Sequence, residues 1–119
     1  MNYYKSTSES QKEYIKRNFY LVRLERCVKD LKQFDAMLNS YTCEPQTEAL
    51  FEQKSDLKAQ LTFHKQSSFE TINAIQKKKI PLTEQIHQIK SQLRILEKLH
   101  ADLKEYAYTV QNHSKLVAS

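Results

Sequence analysis

The sequence predicts an all-α protein, an antiparallel α-helical coiled-coil hairpin or, alternatively, a three-helix bundle. The 119 residues contain no glycine, and few turns are expected because tight turns and left-handed helix caps draw on that residue. The composition, 39% hydrophobic and 28% charged, is typical of long amphipathic helices. A heptad pattern also fills the last third of the chain. These observations predict a single helical domain over residues 1–119.

The first helix is predicted over about 8–40. Ser6 with Glu9, and Ser10 with Glu13, stand in the S-x-x-E relation of a capping box, which predicts a start between residues 6 and 11 and fraying before it. The apolar positions that follow are separated mainly by three or four residues, as on one helix face; they are Leu24, Val28, Leu31, Phe34, Leu38 and Tyr41.

A turn is predicted at about 39–46, where this periodicity stops. Asn39, Ser40, Thr42 and Pro45 cluster there, and these residue types favour turns. Proline is also well suited to the first position of a new helix, because its missing N–H would have no partner there. The helix that follows carries an apolar series of its own: Leu50, Leu57, Leu61, Phe69, Ile72 and Ile75.

The strongest pattern lies beyond Pro81. Strict four–three spacing continues over five heptads, through Leu82, Ile86, Ile89, Leu93, Leu96, His100, Leu103, Ala107, Val110, Ser114 and Val117. Steps of seven backwards from Leu82 reach Ile75, Ser68 and Leu61, so the heptad phase survives Pro81. This favours one long helix over about 46–117 that is kinked near residue 81.

Two architectures follow from the two interpretations of Pro81. In the favoured one, the first helix folds antiparallel onto the early part of the long helix. The seam of residues 82–117 is then left for a partner, because the long helix over about 46–117 would extend about 100 Å and the first helix could not cover most of it. In the other, Pro81 is a turn and three helices form a bundle. The sequence leaves both open.

The charge pattern favours a protein partner over nucleic acid. The net charge is +5, with eight Lys and Arg against six Asp and Glu in 1–44, six against four in 45–81, and five against four in 82–119. A nucleic-acid-binding protein usually concentrates its cations on one face or arm. The only run of cations, Lys77 to Lys79, is expected to be solvated or to meet an acidic partner.

No catalytic, cofactor or metal site is expected. Cys27 and Cys43 are isolated thiols without metal-ligand spacing, no two of the four histidines are three or four residues apart, and no nucleophile–base cluster can be assembled from local spacing. Free thiols favour a reducing, cytoplasmic location. The N-terminal stretch is polar and no apolar run approaches about 18 residues, so neither a secretion signal nor a membrane span is expected.

Two features are candidates for binding. His100 occupies a seam position between Leu96 and Leu103, where a polar side chain fixes register or partner number, or is tolerated at an edge. Aromatic and basic residues are also interleaved near the N-terminus, a composition enriched in protein interfaces. They are Tyr3, Tyr4, Tyr14, Phe19 and Tyr20 with Lys16, Arg17, Arg23 and Arg26.

Two segments resemble a known family. The stretch LRILEKLHADLKEYAYTVQNH, residues 93–113, is similar to the C-terminal helix of the FliJ/YscO group, in which a V/L-L-E-K-L motif precedes a tyrosine. The stretch FYLVRLERCVKDL, residues 19–31, is similar to the group's opening helix. Together they cover about 35 residues. Proteins of this group are small, basic helical hairpins that form the stalk of flagellar and type III secretion export machines.

The resemblance implies a non-enzymatic stalk or adaptor that engages the export ATPase and the membrane export gate, in the cytoplasm beside a membrane-embedded apparatus. The residues expected to meet the ATPase are Arg23, Arg26, Leu96, Glu97, Leu99 and Tyr106, and the seam positions His100 and Leu103 complete the candidate partner-binding set. The alternatives are a coiled-coil scaffold that assembles with itself or another helical protein, and a helical secretion chaperone.

Overall fold

The computed structural model describes residues 2–40, 43–77 and 80–118, with side chains over 11–40, 43–77 and 80–112. The described chain forms helices α1 (Asn2–Leu38), α2 (Glu48–Gln76) and α3 (Leu82–Ala118), without strands. The all-α prediction is confirmed. Each helix packs against both of the others, so the arrangement is the three-helix bundle.

The helices run up, down and up. α1 and α3 are parallel, because Arg17 bonds to Gln85 and Arg23 bonds to Glu97, pairs in which both residue numbers rise together. α2 is antiparallel to both neighbours, since Ser68 bonds to Gln92 on α3 and Lys58 to Asn39 at the end of α1. Short connections between successive antiparallel helices are the simplest route to such a bundle.

The bundle is long and staggered, with extents of 73 × 23 × 18 Å. α1 and α3 have 37 residues each, which corresponds to about 55 Å per helix at 1.5 Å per residue. Because the molecule is longer than either helix, α1 and α3 are offset along the bundle axis. α1 begins about 12 residues before it reaches the level at which α3 begins. The start of α1 and the end of α3 therefore lie at opposite ends of the molecule.

One apolar core runs along the bundle axis, and all three helices contribute to it. α3 supplies the most residues because its heptad face meets both neighbours. The buried cluster comprises Leu24, Leu31 and Leu38 from α1, Leu57, Leu61 and Ile75 from α2, and Ile89, Leu93, Leu96, Leu99, Leu103, Tyr106 and Val110 from α3. The seam predicted over 82–117 is thus covered by the protein's own helices as far as Val110.

The first turn lies between Leu38 and Glu48, where the sequence predicts one at 39–46. The Ser40 hydroxyl donates to the Met37 carbonyl at 2.6 Å, which closes the end of α1. The Thr47 hydroxyl accepts from the Leu50 N–H at 3.1 Å and caps α2. Pro45 precedes the helix by three residues, so its role is in the turn and not at the first helical position.

The second turn replaces the continuous helix expected over 46–117. α2 ends at Gln76 and α3 begins at Leu82, because Pro81 has no N–H to donate and disfavours helical geometry in the residue before it. The Gln85 side chain donates to the Ile80 carbonyl at 2.7 Å and fixes the turn. The seven-residue spacing survives because Ile75 and Ile89 face one shared core, not because the helix is continuous.

α1 also begins earlier than the capping pattern predicts. It starts at Asn2, whereas the S-x-x-E pairs place the start between residues 6 and 11. Residues 2–10 contain no glycine or proline that would stop a helix. A capping side chain stabilises a helix start by only about 1 kcal/mol, so such a motif inside a helix does not prevent continuation.

Candidate partner-binding surface

Half of the residues predicted to meet a partner form the inside of the bundle. Leu96, Leu99, Leu103 and Tyr106 are almost fully buried against α1 and α2. A partner could reach them only if the bundle opened. The heptad spacing identified Leu96 and Leu103 as apolar seam residues, and the family resemblance added Leu99 and Tyr106. Sequence alone did not show whether the protein or a partner covers that seam.

Arg23, Arg26 and Glu97 remain accessible on the surface. Arg23 and Glu97 form an ion pair between α1 and α3 with N···O of 3.1 Å, and both side chains are about half exposed. An exposed pair of this kind stabilises a fold by about 0–1 kcal/mol, so a partner can replace the contact at little cost. Arg26 is exposed on the outer side of α1.

His100 packs at the edge of the core. Its ring meets the Phe34 ring edge-on, with centroids 4.7 Å apart, and it is half-buried between α1 and α3. An edge-on aromatic contact contributes about 0.5–1.5 kcal/mol beyond the area buried. His100 thus contributes to the contact between α1 and α3 of one molecule, at the rim of the seam.

A basic groove runs between α1 and α3. It is lined by Tyr20, Arg23, Lys90, Leu93, Arg94 and Glu97. The Lys90 ammonium lies 5.1 Å from the centre of the Tyr20 ring, a cation–π contact. Arg17, one turn before Tyr20, donates to Gln85 at 3.0 Å. The groove therefore presents three cations and one carboxylate beside an aromatic ring.

A second surface is apolar and lies on the side of α1 that faces away from the bundle. It consists of Ile15, Phe19 and Val22, which are 69%, 60% and 45% exposed; this set is called the outer stripe. Sequence reasoning singled out Phe19 for its aromatic and basic surroundings but missed the stripe. The four–three spacing of these residues, out of phase with the core series from Leu24, is the signal that could have found it.

Folding concentrates positive charge in one half of the molecule. The parallel and antiparallel pairings bring described residues 11–26, 63–77 and 80–97 into the half that contains the Pro81 turn. That half carries nine cations, Lys12, Lys16, Arg17, Arg23, Arg26, Lys65, Lys77, Lys90 and Arg94, against five carboxylates, Glu13, Glu25, Glu70, Glu84 and Glu97. In the other half of the described chain, eight carboxylates exceed six cations. Counts along the sequence did not show this polarity.

Among the described side chains, burial raises the pKa of a tyrosine and of a cysteine. Burial raises the pKa of the Tyr106 hydroxyl above its usual value, with a smaller contribution from Cys43; the hydroxyl donates to the Cys43 carbonyl at 3.3 Å. Burial also raises the pKa of the Cys27 thiol, and the nearby carboxylates of Asp30 and Glu97 add to the effect. Both cysteines are free thiols.

The described residues hold no group of three or more side chains that could bind a metal ion. Across the same part of the chain, no helix has the length and apolar character needed to cross a membrane. Comparison with protein-family models, with curated proteins and with solved structures found no match. The candidate partner-binding surface is the part of α1 and α3 that carries the outer stripe and the basic groove.

Proposed function

We propose that this protein is a non-enzymatic adaptor that binds another protein through the outside of an intact bundle. The outer stripe carries the proposal, because apolar side chains are exposed there although the core is already filled by the protein's own helices. Contiguous exposed apolar side chains with a polar rim are typical of interaction sites. The partner surface extends across the neighbouring basic groove between α1 and α3.

We propose further that the partner is the ATPase of a type III export apparatus, with the membrane export gate as a second contact and a cytoplasmic location beside it. The two segments that resemble the FliJ/YscO group support this proposal because they lie side by side on α1 and α3, joined by the Arg23–Glu97 ion pair. The accessible residues Arg23, Arg26 and Glu97 would make the contact, since the leucines of the motif are buried.

This mode of binding differs from a hairpin stalk that enters a ring with both termini. Here α1 begins and α3 ends at opposite ends of a 73 Å bundle, so a ring could surround only one end. The basic half, which contains the start of α1, is the end that we propose to meet the ATPase. Its excess of cations would favour an acidic surface on the partner.

A pull-down with the export ATPase and a measurement of ATP turnover with and without the protein test this proposal. The double variant Arg23→Glu/Arg26→Glu should weaken binding at least about tenfold, because reversal of two interface charges converts attraction into repulsion. Lys98→Glu/Lys104→Glu is the matched control, since both lysines are exposed in the other half. Absence of binding and unchanged turnover with the unaltered protein would refute the ATPase as partner.

A scaffold role is the second candidate, and the four–three spacing of the outer stripe favours it, since that spacing is typical of helices that pair. In this role the protein assembles with itself or with another helical protein and does not contact an ATPase. Sedimentation equilibrium of the purified protein separates the two. A stable dimer that the variant Ile15→Ser/Phe19→Ser disrupts would support the scaffold, whereas a monomer would favour the adaptor.

A further inference from the structure

α1 carries apolar side chains on two opposite faces, and only one of them is used by the fold. Leu24 and Leu31 lie in the core, at or below 1% exposure. At about 100° per residue, Ile15 and Val22 project roughly 160–180° away from Leu24 around the helix axis. The outer stripe is therefore separate from the bundle core, and nothing within the described chain covers it.

The shape of the outer stripe fits a single helix. Its three residues follow four- and three-residue steps and span a sector of about 60°, which corresponds to the narrow seam of a helix pair. A helix that lies in a membrane surface needs a wider apolar sector, of about 100° or more. The geometry therefore favours one helix as the occupant over a lipid surface.

The charges beside the outer stripe indicate that the docked helix is negatively charged. Lys12, Lys16 and Arg23 border one side of the stripe, and Arg26 lies one helical turn beyond Val22. The Arg23 guanidinium lies 6.0 Å from the centre of the Phe19 ring, so a cation stands at the rim of the apolar contact. On the opposite side of the stripe lies the exposed carboxylate of Glu25. A second copy docked here would bring both sets of cations together, which disfavours self-association.

We propose that the outer stripe is the docking site for an acidic amphipathic helix of a partner protein, with its apolar residues seated on Ile15, Phe19 and Val22 and its carboxylates against the bordering cations. This inference deepens the proposed adaptor role, on which it rests. It does not depend on the export ATPase as the partner, because it concerns the chemistry of the docked segment.

The direct test uses synthetic helical peptides as probes. A fluorescein-labelled heptad peptide with leucine at the seam and glutamate beside it should bind the full-length protein saturably in fluorescence anisotropy. A peptide with the same leucines and lysine in place of glutamate should bind at least about tenfold more weakly, since the bordering charges would then repel. Raising the salt concentration should weaken the glutamate peptide and not the lysine peptide.

Matched variants locate the site. Ile15→Ser/Phe19→Ser should weaken the glutamate peptide at least about tenfold, because the apolar area that the peptide covers is removed. Phe51→Ser/Phe63→Ser removes two equally exposed apolar residues from α2 and should leave binding unchanged. All four residues are exposed, so thermal unfolding followed by circular dichroism should show both variants folded.

Several outcomes would overturn the inference: equal binding of the two peptides, no binding of either, or no effect of Ile15→Ser/Phe19→Ser. Vesicles of phosphatidylserine and phosphatidylcholine are a further arm, in which stripe-dependent binding would assign the surface to a membrane. Stripe-dependent dimerisation would assign it to a second copy. If the glutamate peptide binds but the ATPase does not, the inference stands and the ATPase proposal fails. If the ATPase binds but the glutamate peptide does not, the ATPase proposal stands and the inference fails.

Discussion

Tyr106 links α3 to the turn between α1 and α2, because its buried hydroxyl donates to the Cys43 carbonyl at 3.3 Å. Burial raises the pKa of this hydroxyl above its ordinary value of 10.0. The folded protein thus favours the neutral phenol. The buried Tyr106 hydroxyl makes its full contribution to the free energy of unfolding below pH 10, and this contribution is lost as the pH rises through the raised pKa.

We predict that Tyr106→Phe lowers the free energy of unfolding by about 1–2 kcal/mol at pH 8, because the buried Cys43 carbonyl loses its donor. The difference from the unaltered protein should shrink above pH 10, since only tyrosine must then either bury a phenolate or stay protonated where the unfolded chain would be ionised. Urea unfolding at pH 8 and pH 11 measures both effects. Tyr108→Phe, at an exposed site, should change neither; a difference that stays constant to pH 11 would contradict the account.

Cys27 should react slowly with thiol reagents. Its pKa is raised by burial and by Asp30 and Glu97, and the thiolate is the reactive form. We expect iodoacetamide to alkylate Cys27 of the Cys43→Ala variant several-fold more slowly at pH 7.5 in the folded protein than in urea. Mass spectrometry follows the reaction. Equal rates in the folded and unfolded chains would show that the packing of α1 on α3 does not protect this site.

At the residue scale, sequence reasoning found the apolar seam but not its polar contacts. The burial of Leu96 and Leu103 follows from heptad spacing. The hydrogen bond between Tyr106 and Cys43 joins residues 63 positions apart. The bond from Gln85 to Ile80 at the Pro81 turn joins residues 5 positions apart. The first of these could not be predicted, because local spacing contains no information about which distant backbone groups meet.

At the scale of the elements, the pairing of α2 with α3 includes one buried polar contact. The Gln92 amide donates to the Ser68 hydroxyl at 2.8 Å, and both side chains are almost fully buried. Among the described side chains, every buried N or O atom has a hydrogen-bond partner. The pair therefore fixes how far α2 and α3 can slide along one another, since any shift would leave two polar groups unpaired.

We predict that Gln92→Leu alone lowers the free energy of unfolding by about 1–3 kcal/mol, because the Ser68 hydroxyl stays buried without this donor. The double variant Ser68→Ala/Gln92→Leu should recover part or all of that loss, since neither polar group remains. Urea unfolding of the single and double variants provides the measurement. Additive losses in the double variant would show that the two side chains act independently.

The helices themselves were predictable, and their ends less so. Four–three spacing and the lack of glycine indicated the helical class, and the cluster of Asn39, Ser40, Thr42 and Pro45 indicated the first turn, because these are local properties of the sequence. Heptad phase across Pro81 was misleading for a physical reason. Two helices that face one core from either side of a short turn can preserve a seven-residue spacing, so phase alone does not distinguish a kink from a turn.

At the scale of the whole molecule, closure at the Pro81 turn decides which surfaces a partner can use. A continuous helix over 46–117 would leave the α3 seam uncovered and available. In the bundle, α1 and α2 cover that seam, whereas the outer stripe and the basic groove stay accessible to a partner. The concentration of cations in one half also appears only after folding, since it joins segments from all three helices.

One distance shows whether the chain folds back at Pro81 and fills its own seam. Nitroxide labels at Ala49→Cys and Tyr108→Cys, both exposed sites, can be introduced in a Cys27→Ser/Cys43→Ala background and measured by double electron–electron resonance. The bundle is 23 × 18 Å in cross-section, and we predict a label separation of roughly 20–35 Å, since neighbouring helix axes lie about 8–10 Å apart. A continuous helix would place the two sites about 90 Å apart, and a separation near that value would contradict the account.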